Sequence, residues 1–244
     1  MSAASRSLSL LALIGAGALL LAGCASGATP GSDPSGTPGA VTPAGELEVE
    51  AGWLDGGRQI ALVTWGSSGC VPTATDATVQ ADGALAVTLD DGPADTACTA
   101  DYTPRVTLVP VPKGVDPTKD LDLVVTDAHA TRGDTDLDGV AGLVAGGATD
   151  YAPSAGWVDD DLIAVLTWGS SSCAPVVSEV SASDPKNVTV TFADQDDKPC
   201  TMDMAPRATL VSVAGLGADD DGTTITLSGA DAQFATPVTV PVIG

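Results

Sequence analysis

Short stretches of the chain alternate apolar and polar residues with a period of two. Residues 85–89 are Leu-Ala-Val-Thr-Leu and residues 188–192 are Val-Thr-Val-Thr-Phe, and a similar pattern occurs at 121–125 and 223–227. Because successive side chains of a strand point to opposite faces, this period predicts half-buried strands with one face in a core.

Two further stretches are apolar on both faces. Residues 60–65 are IALVTW, and residues 163–168 are IAVLTW. Such runs are typical of central strands that are covered on both sides. Turn signals such as Asp82-Gly83 separate the strands, and no stretch has a helical stripe of useful length. The sequence therefore predicts an all-β fold.

Three sequence blocks occur twice in the same order, about 100 residues apart, which indicates an internal duplication. AGWL at Ala51 is matched by AGWV at Ala155, TWGSSGCVP at Thr64 by TWGSSSCAP at Thr167, and CTADYTPRVTLV at Cys98 by CTMDMAPRATLV at Cys200.

The first residues follow a different pattern. Arg6 is the only charged residue before an apolar run over 8–21. A membrane-spanning helix needs about 20 apolar residues, so this shorter run predicts a cleaved signal peptide. The run closes with Leu-Ala-Gly-Cys, ending at Cys24.

That ending resembles the lipobox of bacterial lipoproteins. The resemblance covers residues 1–24 only. It implies a diacylglyceryl group on the sulfur of Cys24, cleavage before Cys24, and a chain held at the extracytoplasmic face of the cell membrane. Two acyl chains hold a protein stably at a membrane, so no second anchor is required. Ordinary secretion with a free thiol at Cys24 is the alternative.

Residues 25–45 are almost wholly Gly, Pro, Ser, Thr and Ala, a composition without the apolar content to fold. They predict a flexible tether with a reach of about 25 Å. We expect a signal peptide at 1–23, the lipidated cysteine and tether at 24–45, and two modules at 46–146 and 147–244. Each module is predicted to be a disulfide-stapled β-sandwich, the two in tandem and related by the duplication.

Four cysteines remain for disulfides: Cys70, Cys98, Cys173 and Cys200. An even set in an exported chain indicates a disulfide framework, for which three pairings are possible. Pairing within each copy keeps each module complete, so we predict Cys70 with Cys98 and Cys173 with Cys200. Pairing across the copies is the alternative.

Acidic residues number 32 against 9 Lys and Arg, and the net charge is -23. Nucleic acid is excluded as a partner because phosphate neutralisation needs clustered Lys and Arg. Anionic lipid surfaces are disfavoured as well. This negative charge is expected to keep an exposed surface soluble. The alternative is that it attracts Ca²⁺ or a cationic partner.

Asp134, Asp136 and Asp138 lie in the sequence DTDLDG, which fits the first half of an EF-hand calcium loop. The twelfth position of that loop, where a bidentate Glu is expected, is Ala145. We expect a solvated acidic loop here, and a weak Ca²⁺ site with these three carboxylates as its candidate ligands is the alternative. The acidic runs at 159–161 and 219–221 are weaker candidates.

Four tryptophans recur as two equivalent pairs, Trp53 with Trp157 and Trp65 with Trp168. We predict that they pack in the core, with a ligand-stacking platform as the alternative.

A second repeated pattern is D-x-x-P-R. Asp101 and Arg105 form it in the first copy, and Asp203 and Arg207 form it in the second. A carboxylate and a guanidinium at this spacing are predicted to pair and to fix the start of a strand, with capture of a ligand as the alternative.

Little in the sequence indicates catalysis. His129 is the only histidine, which excludes a zinc site of several histidines and leaves a Ser-His-Asp triad dependent on that residue. The serines at Ser67 and Ser68 lack a G-x-S-x-G setting. We therefore expect a non-catalytic lipoprotein of the cell envelope that acts as a binding or structural module, with the membrane and an unidentified envelope protein as partners. A weak calcium-dependent adhesion module and a hydrolase are the alternatives.

Overall fold

The computed structural model describes residues 45–195, 199–229 and 232–244. Within these ranges the chain forms fourteen β-strands and two 3₁₀ turns, at Asp55–Gly57 and Ala232–Phe234, and no α-helix. The all-β prediction is confirmed. The predicted signal peptide, Cys24 and all of the tether but residue 45 lie outside the described residues.

Each half of the described chain contributes seven strands. The first half forms β1 Val49–Leu54, β2 Gln59–Gly66, β3 Thr73–Val79, β4 Leu85–Asp90, β5 Thr103–Pro110, β6 Leu121–Thr126 and β7 Arg132–Leu137. The second half forms β8 Ser154–Asp159, β9 Leu162–Gly169, β10 Val177–Asp184, β11 Asn187–Phe192, β12 Ala205–Ser212, β13 Thr224–Gly229 and β14 Val238–Ile243.

Strand pairing is equivalent in the two halves, which we call the first and second repeats. The first repeat forms a sheet in the order β1-β2-β5 and another in the order β3-β4-β6-β7. The second repeat has the orders β8-β9-β12 and β10-β11-β13-β14, but parallel pairing of β14 with β8 joins them into one seven-stranded sheet. That pairing matches Val242 with Ala155 and Ile243 with Gly156.

The strands predicted from period-two alternation are present. Leu85, Val87 and Leu89 of β4 are buried, as are Val188 and Val190 of β11. The two strands that are apolar on both faces are central, because β2 lies between β1 and β5, and β9 lies between β8 and β12.

Three hydrophobic clusters explain why β2 and β9 are apolar on both faces. Ile60 and Leu62 point into the core of the first repeat, and the matching residues of β9 point into the core of the second. The alternate residues enter a third cluster that both repeats form: Leu54, Ala61, Val63, Val158, Leu162, Ala164, Leu166 and Trp168. Because this core is shared, the sheets do not separate clearly into two independent sandwiches.

The predicted disulfides are confirmed. Cys70 is bonded to Cys98 and Cys173 to Cys200, with Cα–Cα distances of 5.5 and 5.6 Å. Each bond closes a loop of its own repeat, between the strand that carries the apolar run and the strand that pairs with it.

Candidate functional site: a cleft between the repeats

Strands β1 and β8 cross at two glycines that occupy equivalent positions in the repeats. A Cβ atom placed on Gly52 would lie 2.2 Å from the carbonyl oxygen of Trp157, and one placed on Gly156 would lie 2.1 Å from the carbonyl oxygen of Trp53. The contact is reciprocal, as in an isologous dimer with a two-fold axis. Only glycine permits the two backbones to approach this closely.

A cleft of about 230 Å³ opens beside this crossing. Residues of both repeats line it, namely Ala51, Trp53, Asp136, Leu137, Asp138 and Val140 of the first and Trp157, Val158, Asp159, Asp160, Asp220, Ile243 and Gly244 of the second. The cleft therefore exists only in the assembled pair of repeats.

The equivalent tryptophans have different surroundings at the cleft. Trp53 is buried at 2% exposure, and its indole Nε1 donates a hydrogen bond of 2.9 Å to the carbonyl oxygen of Asp138. Trp157 is only half-buried. Its Nε1 is buried and has no hydrogen-bond partner among the described residues. Trp53 is a core residue, as predicted, whereas Trp157 forms part of the wall of the cleft.

Five exposed carboxylates surround the cleft: Asp136, Asp138, Asp159, Asp160 and Asp220. The lining residues of the described chain include no Lys or Arg. Nearby, burial raises the pKa of Glu50 above its usual value, and the charges of Asp159, Glu48 and Asp136 raise it further. Carboxylates of both repeats therefore concentrate negative potential at this place.

The predicted acidic loop at 134–138 is mostly a strand, and the prediction of a loop was wrong. Asp134 and Asp136 belong to β7, where they lie opposite Val124 and Asp122 of β6. Both are exposed, while Gly133 and Leu137 are buried. The spacing of Asp134 and Asp136 is thus the period of a strand, and their side chains project from the same face of β7.

Asp136 and Asp138 both line the cleft, but Asp134 is not among its lining residues. In the part of the chain that the structure describes, no three His, Cys, Asp or Glu residues are grouped so that they could hold a metal ion. The calcium site at Asp134, Asp136 and Asp138 stays a prediction.

The turn next to each disulfide is fixed by a repeated hydrogen-bond network. Asp101 accepts a hydrogen bond from the backbone N–H of Ser68 at 3.2 Å and another from the hydroxyl of Thr99. These hydrogen bonds from Ser68 and Thr99 lower the pKa of Asp101 to about 2. In the second repeat, Asp203 accepts from Ser171 and Thr201 in the same way.

The arginine of the D-x-x-P-R pattern does not pair with the aspartate in the first repeat, so that prediction was wrong. Arg105 donates to the carbonyl oxygen of Cys70 at 2.7 Å and to that of Trp65 at 3.4 Å. Arg207 likewise donates to the carbonyl oxygens of Cys173 and Trp168. The guanidinium satisfies backbone carbonyls that the turn leaves without partners, which the spacing of charges in the sequence does not reveal.

His129 is exposed, and its Nε2 lies 3.8 Å from Oδ2 of Asp91. The serines considered as nucleophiles are engaged elsewhere, since the hydroxyls of Ser67 and Ser68 contact Thr99 Oγ1 at 2.7 and 3.3 Å. The structure thus gives these residues separate partners and does not assemble them as a triad.

A scan of protein-family models, a search of curated proteins and a search of solved structures found no match to the chain. The described residues contain no helix that is long and apolar enough to cross a membrane. The geometry of the cleft and the residues that surround it are therefore the features that bear on function.

Sequence reasoning identified Asp136 and Asp138 as candidates and ranked the acidic runs of the second repeat below them, but it did not predict that both sets line one cleft. Asp159, Asp160 and Asp220 stand in acidic runs that resemble ordinary solvated surface, and Trp157 resembles its buried counterpart. The one available signal was the repeated Ala-Gly-Trp block, which marks the strands that cross.

Proposed function

We propose that this protein is a non-catalytic lipoprotein of the cell envelope, held at the membrane through Cys24, and that it binds its ligand in the cleft between the repeats. The repeats are two copies of one disulfide-bonded module of sandwich type. Their role is to form the cleft together and to present it away from the lipid surface.

The observation that supports this proposal is the composition of the cleft. Its walls come from both repeats, and its aromatic and acidic residues lie beside a crossing that requires glycine on both sides. Concave sites with a few polar groups at the junction of structural units are common places for ligands. If the duplication served only to stabilise the fold, the shared core would be sufficient, and an acidic cleft beside it would not be required.

The anchor follows from the lipobox that ends at Cys24. The composition of the segment after it, residues 25–45, predicts a reach of about 25 Å, which would be sufficient to hold a domain beyond the lipid headgroups. A cleft carried on such a tether samples the volume next to the membrane and meets ligands there at a raised effective concentration.

The binding role is tested by photo-crosslinking in the living cell. A photoreactive amino acid replaces Asp220 at the cleft in one variant of the full chain and exposed Asp95, away from the cleft, in the matched control. We expect a discrete adduct from position 220 that is missing from position 95. Equal labelling from both positions, or no adduct from either, would contradict a binding role for the cleft.

The anchor is tested separately with Cys24→Ser. We expect the parent chain to partition into detergent and to remain with the membrane fraction, and the variant to appear in the aqueous phase and the medium. A variant that stays with the membrane would show that the thioether lipid is not the anchor.

A further inference from the structure

We propose that the ligand of the cleft is an organic cation, an ammonium or guanidinium group carried on a short chain. This inference depends on the proposed function, because it names the chemistry that the same cleft recognises. The group is either the end of a Lys or Arg side chain of a protein partner or a free diffusible amine.

The charge of the cleft selects for a cation. Five carboxylates surround it, and none of the described lining residues is Lys or Arg. None of the ion pairs among the described residues includes a carboxylate that lines the cleft. The Nζ of Lys186 lies 3.9 Å from Asp221, the neighbour of Asp220 in the sequence. A ligand that carries positive charge removes the repulsion among the cleft carboxylates when it binds.

The volume of the cleft sets an upper limit on the size of the group that can enter it. A volume of about 230 Å³ is smaller than the roughly 300–1,000 Å³ of sites that enclose a drug-sized molecule. It accommodates the end of one side chain or one small amine. A long polymer would have to lie across the opening with a single group inserted.

The walls favour an organic cation over a metal ion. Trp157 is half-buried at the cleft, and apolar Val140, Val158 and Ile243 complete the lining. Aromatic rings attract ammonium and guanidinium groups, and apolar walls accept the methylene groups that carry them. Calcium instead requires six to eight converging oxygens, and no three carboxylates converge within the described ranges.

The probes are three small molecules and one ion, added to the full chain in non-ionic detergent. The peptide acetyl-Gly-Arg-Gly-amide carries the guanidinium, and the same peptide with citrulline is its neutral isostere. Agmatine represents a free amine, and CaCl₂ represents a metal ion. The indole N–H signals of Trp53 and Trp157 are followed by NMR, with Trp65 as the internal control, because Trp65 does not line the cleft.

We expect the arginine peptide and agmatine to shift the signals of Trp53 and Trp157 and to leave Trp65 unchanged, while citrulline has no effect. Tighter binding of the peptide than of agmatine identifies a protein side chain as the source of the cation, and the reverse order identifies a free amine. Citrulline that binds as well as arginine, or Ca²⁺ as the only ligand, would overturn the proposal.

The matched variants are Asp159→Asn combined with Asp220→Asn, and, as the control, Asp95→Asn combined with Glu179→Gln, so that each variant removes two exposed negative charges. Asn and Gln keep the shape of the side chain and remove its charge. We expect the variant at the cleft to weaken binding of the arginine peptide about tenfold, and the control to change it less than twofold. Equal effects of the two would mean that only the net charge of the protein matters, which contradicts a site at the cleft.

The two experiments distinguish failure of the cation proposal from failure of the proposed binding function. If the arginine peptide and agmatine both fail to bind while position 220 still gives an adduct in cells, the cleft binds a ligand of another class and the cation is wrong. If position 220 gives no adduct either, the proposed function fails with it.

Discussion

Gly52 lies against the backbone of Trp157 so closely that a Cβ atom on Gly52 would stand 2.2 Å from the Trp157 carbonyl oxygen. The equivalent contact between Gly156 and Trp53 is equally close. These two contacts bring β1 and β8 together beside the cleft, and the core that both repeats share completes the packing between them. They also explain why glycine stands in both copies of the Ala-Gly-Trp block.

Gly52→Ala is therefore expected to destabilise the chain by about 1–3 kcal/mol, because the added methyl group meets backbone atoms that cannot rotate away. For a domain of this size the loss corresponds to a fall in Tm of several degrees. Gly45→Ala is the control, since a Cβ there meets nothing within 4 Å. Thermal unfolding followed by circular dichroism measures both, and an unchanged Tm for Gly52→Ala would contradict the crossing.

The disulfide of the first repeat is expected to contribute about 3–4 kcal/mol, because it closes a loop of about 28 residues in the unfolded chain. Cys70→Ser combined with Cys98→Ser removes it and should lower the denaturant midpoint accordingly. The equivalent double variant at Cys173 and Cys200 should behave similarly, since its loop is one residue shorter. A double variant as stable as the parent chain would disprove this role.

Protonation of Asp101 at low pH is expected to lower the stability of the folded chain. Hydrogen bonds from Ser68 and Thr99 lower its pKa from 3.8 to about 2, so the folded state favours the ionised form. The stabilisation is present above about pH 4 and is lost as the pH falls through the folded pKa. Asp101→Asn should show a flatter dependence of Tm on pH between 4 and 2, whereas Asp95→Asn should follow the parent chain. Parallel curves for the parent chain and Asp101→Asn would refute the assignment.

Glu50 has the opposite effect on the pH dependence of stability, because its ionisation is expected to destabilise the folded chain. Its pKa is raised, mainly by burial and then by Asp159 and Glu48, so the folded state disfavours its charge. The stability associated with the protonated form is present below its usual pKa of 4.5 and declines as the pH rises through the folded value.

Glu50→Gln should therefore raise Tm at pH 7 and have little effect at pH 4. Exposed Glu179→Gln serves as the control for the loss of one negative charge. A Tm for Glu50→Gln that is unchanged at both pH values would show that burial and the neighbouring carboxylates do not disfavour the charged form of Glu50.

Several parts of the fold could be predicted because local chemistry determines them. Strands β2 and β9 had to be covered on both sides, since Ala61 and Val63 alternate with Ile60 and Leu62 and all four are apolar. The disulfide pairing followed from the repeat. The sequence did not predict which residues cover the second face of β2 and β9. An apolar face is compatible with burial by a separate partner or by the other repeat, and the sequence does not distinguish the two.

The cleft could not be predicted because it joins segments that are far apart in the chain. Asp136 and Asp220 belong to different repeats, and the packing of the repeats against each other brings them to one opening. Asp134 and Asp136 were assigned to a loop because alternating carboxylates fit both a calcium loop and an exposed strand. Antiparallel pairing of β7 with the preceding strand β6 decides in favour of the exposed strand.

The central claim is that the two repeats fold as one unit and thereby form the cleft, and scanning calorimetry of the full chain tests it most directly. Independent modules unfold in separate transitions, whereas a shared core makes unfolding cooperative. We predict one transition whose calorimetric and van't Hoff enthalpies agree, and which Gly52→Ala moves to lower temperature as a whole. Two resolved transitions, of which Gly52→Ala moves only one, would contradict the account.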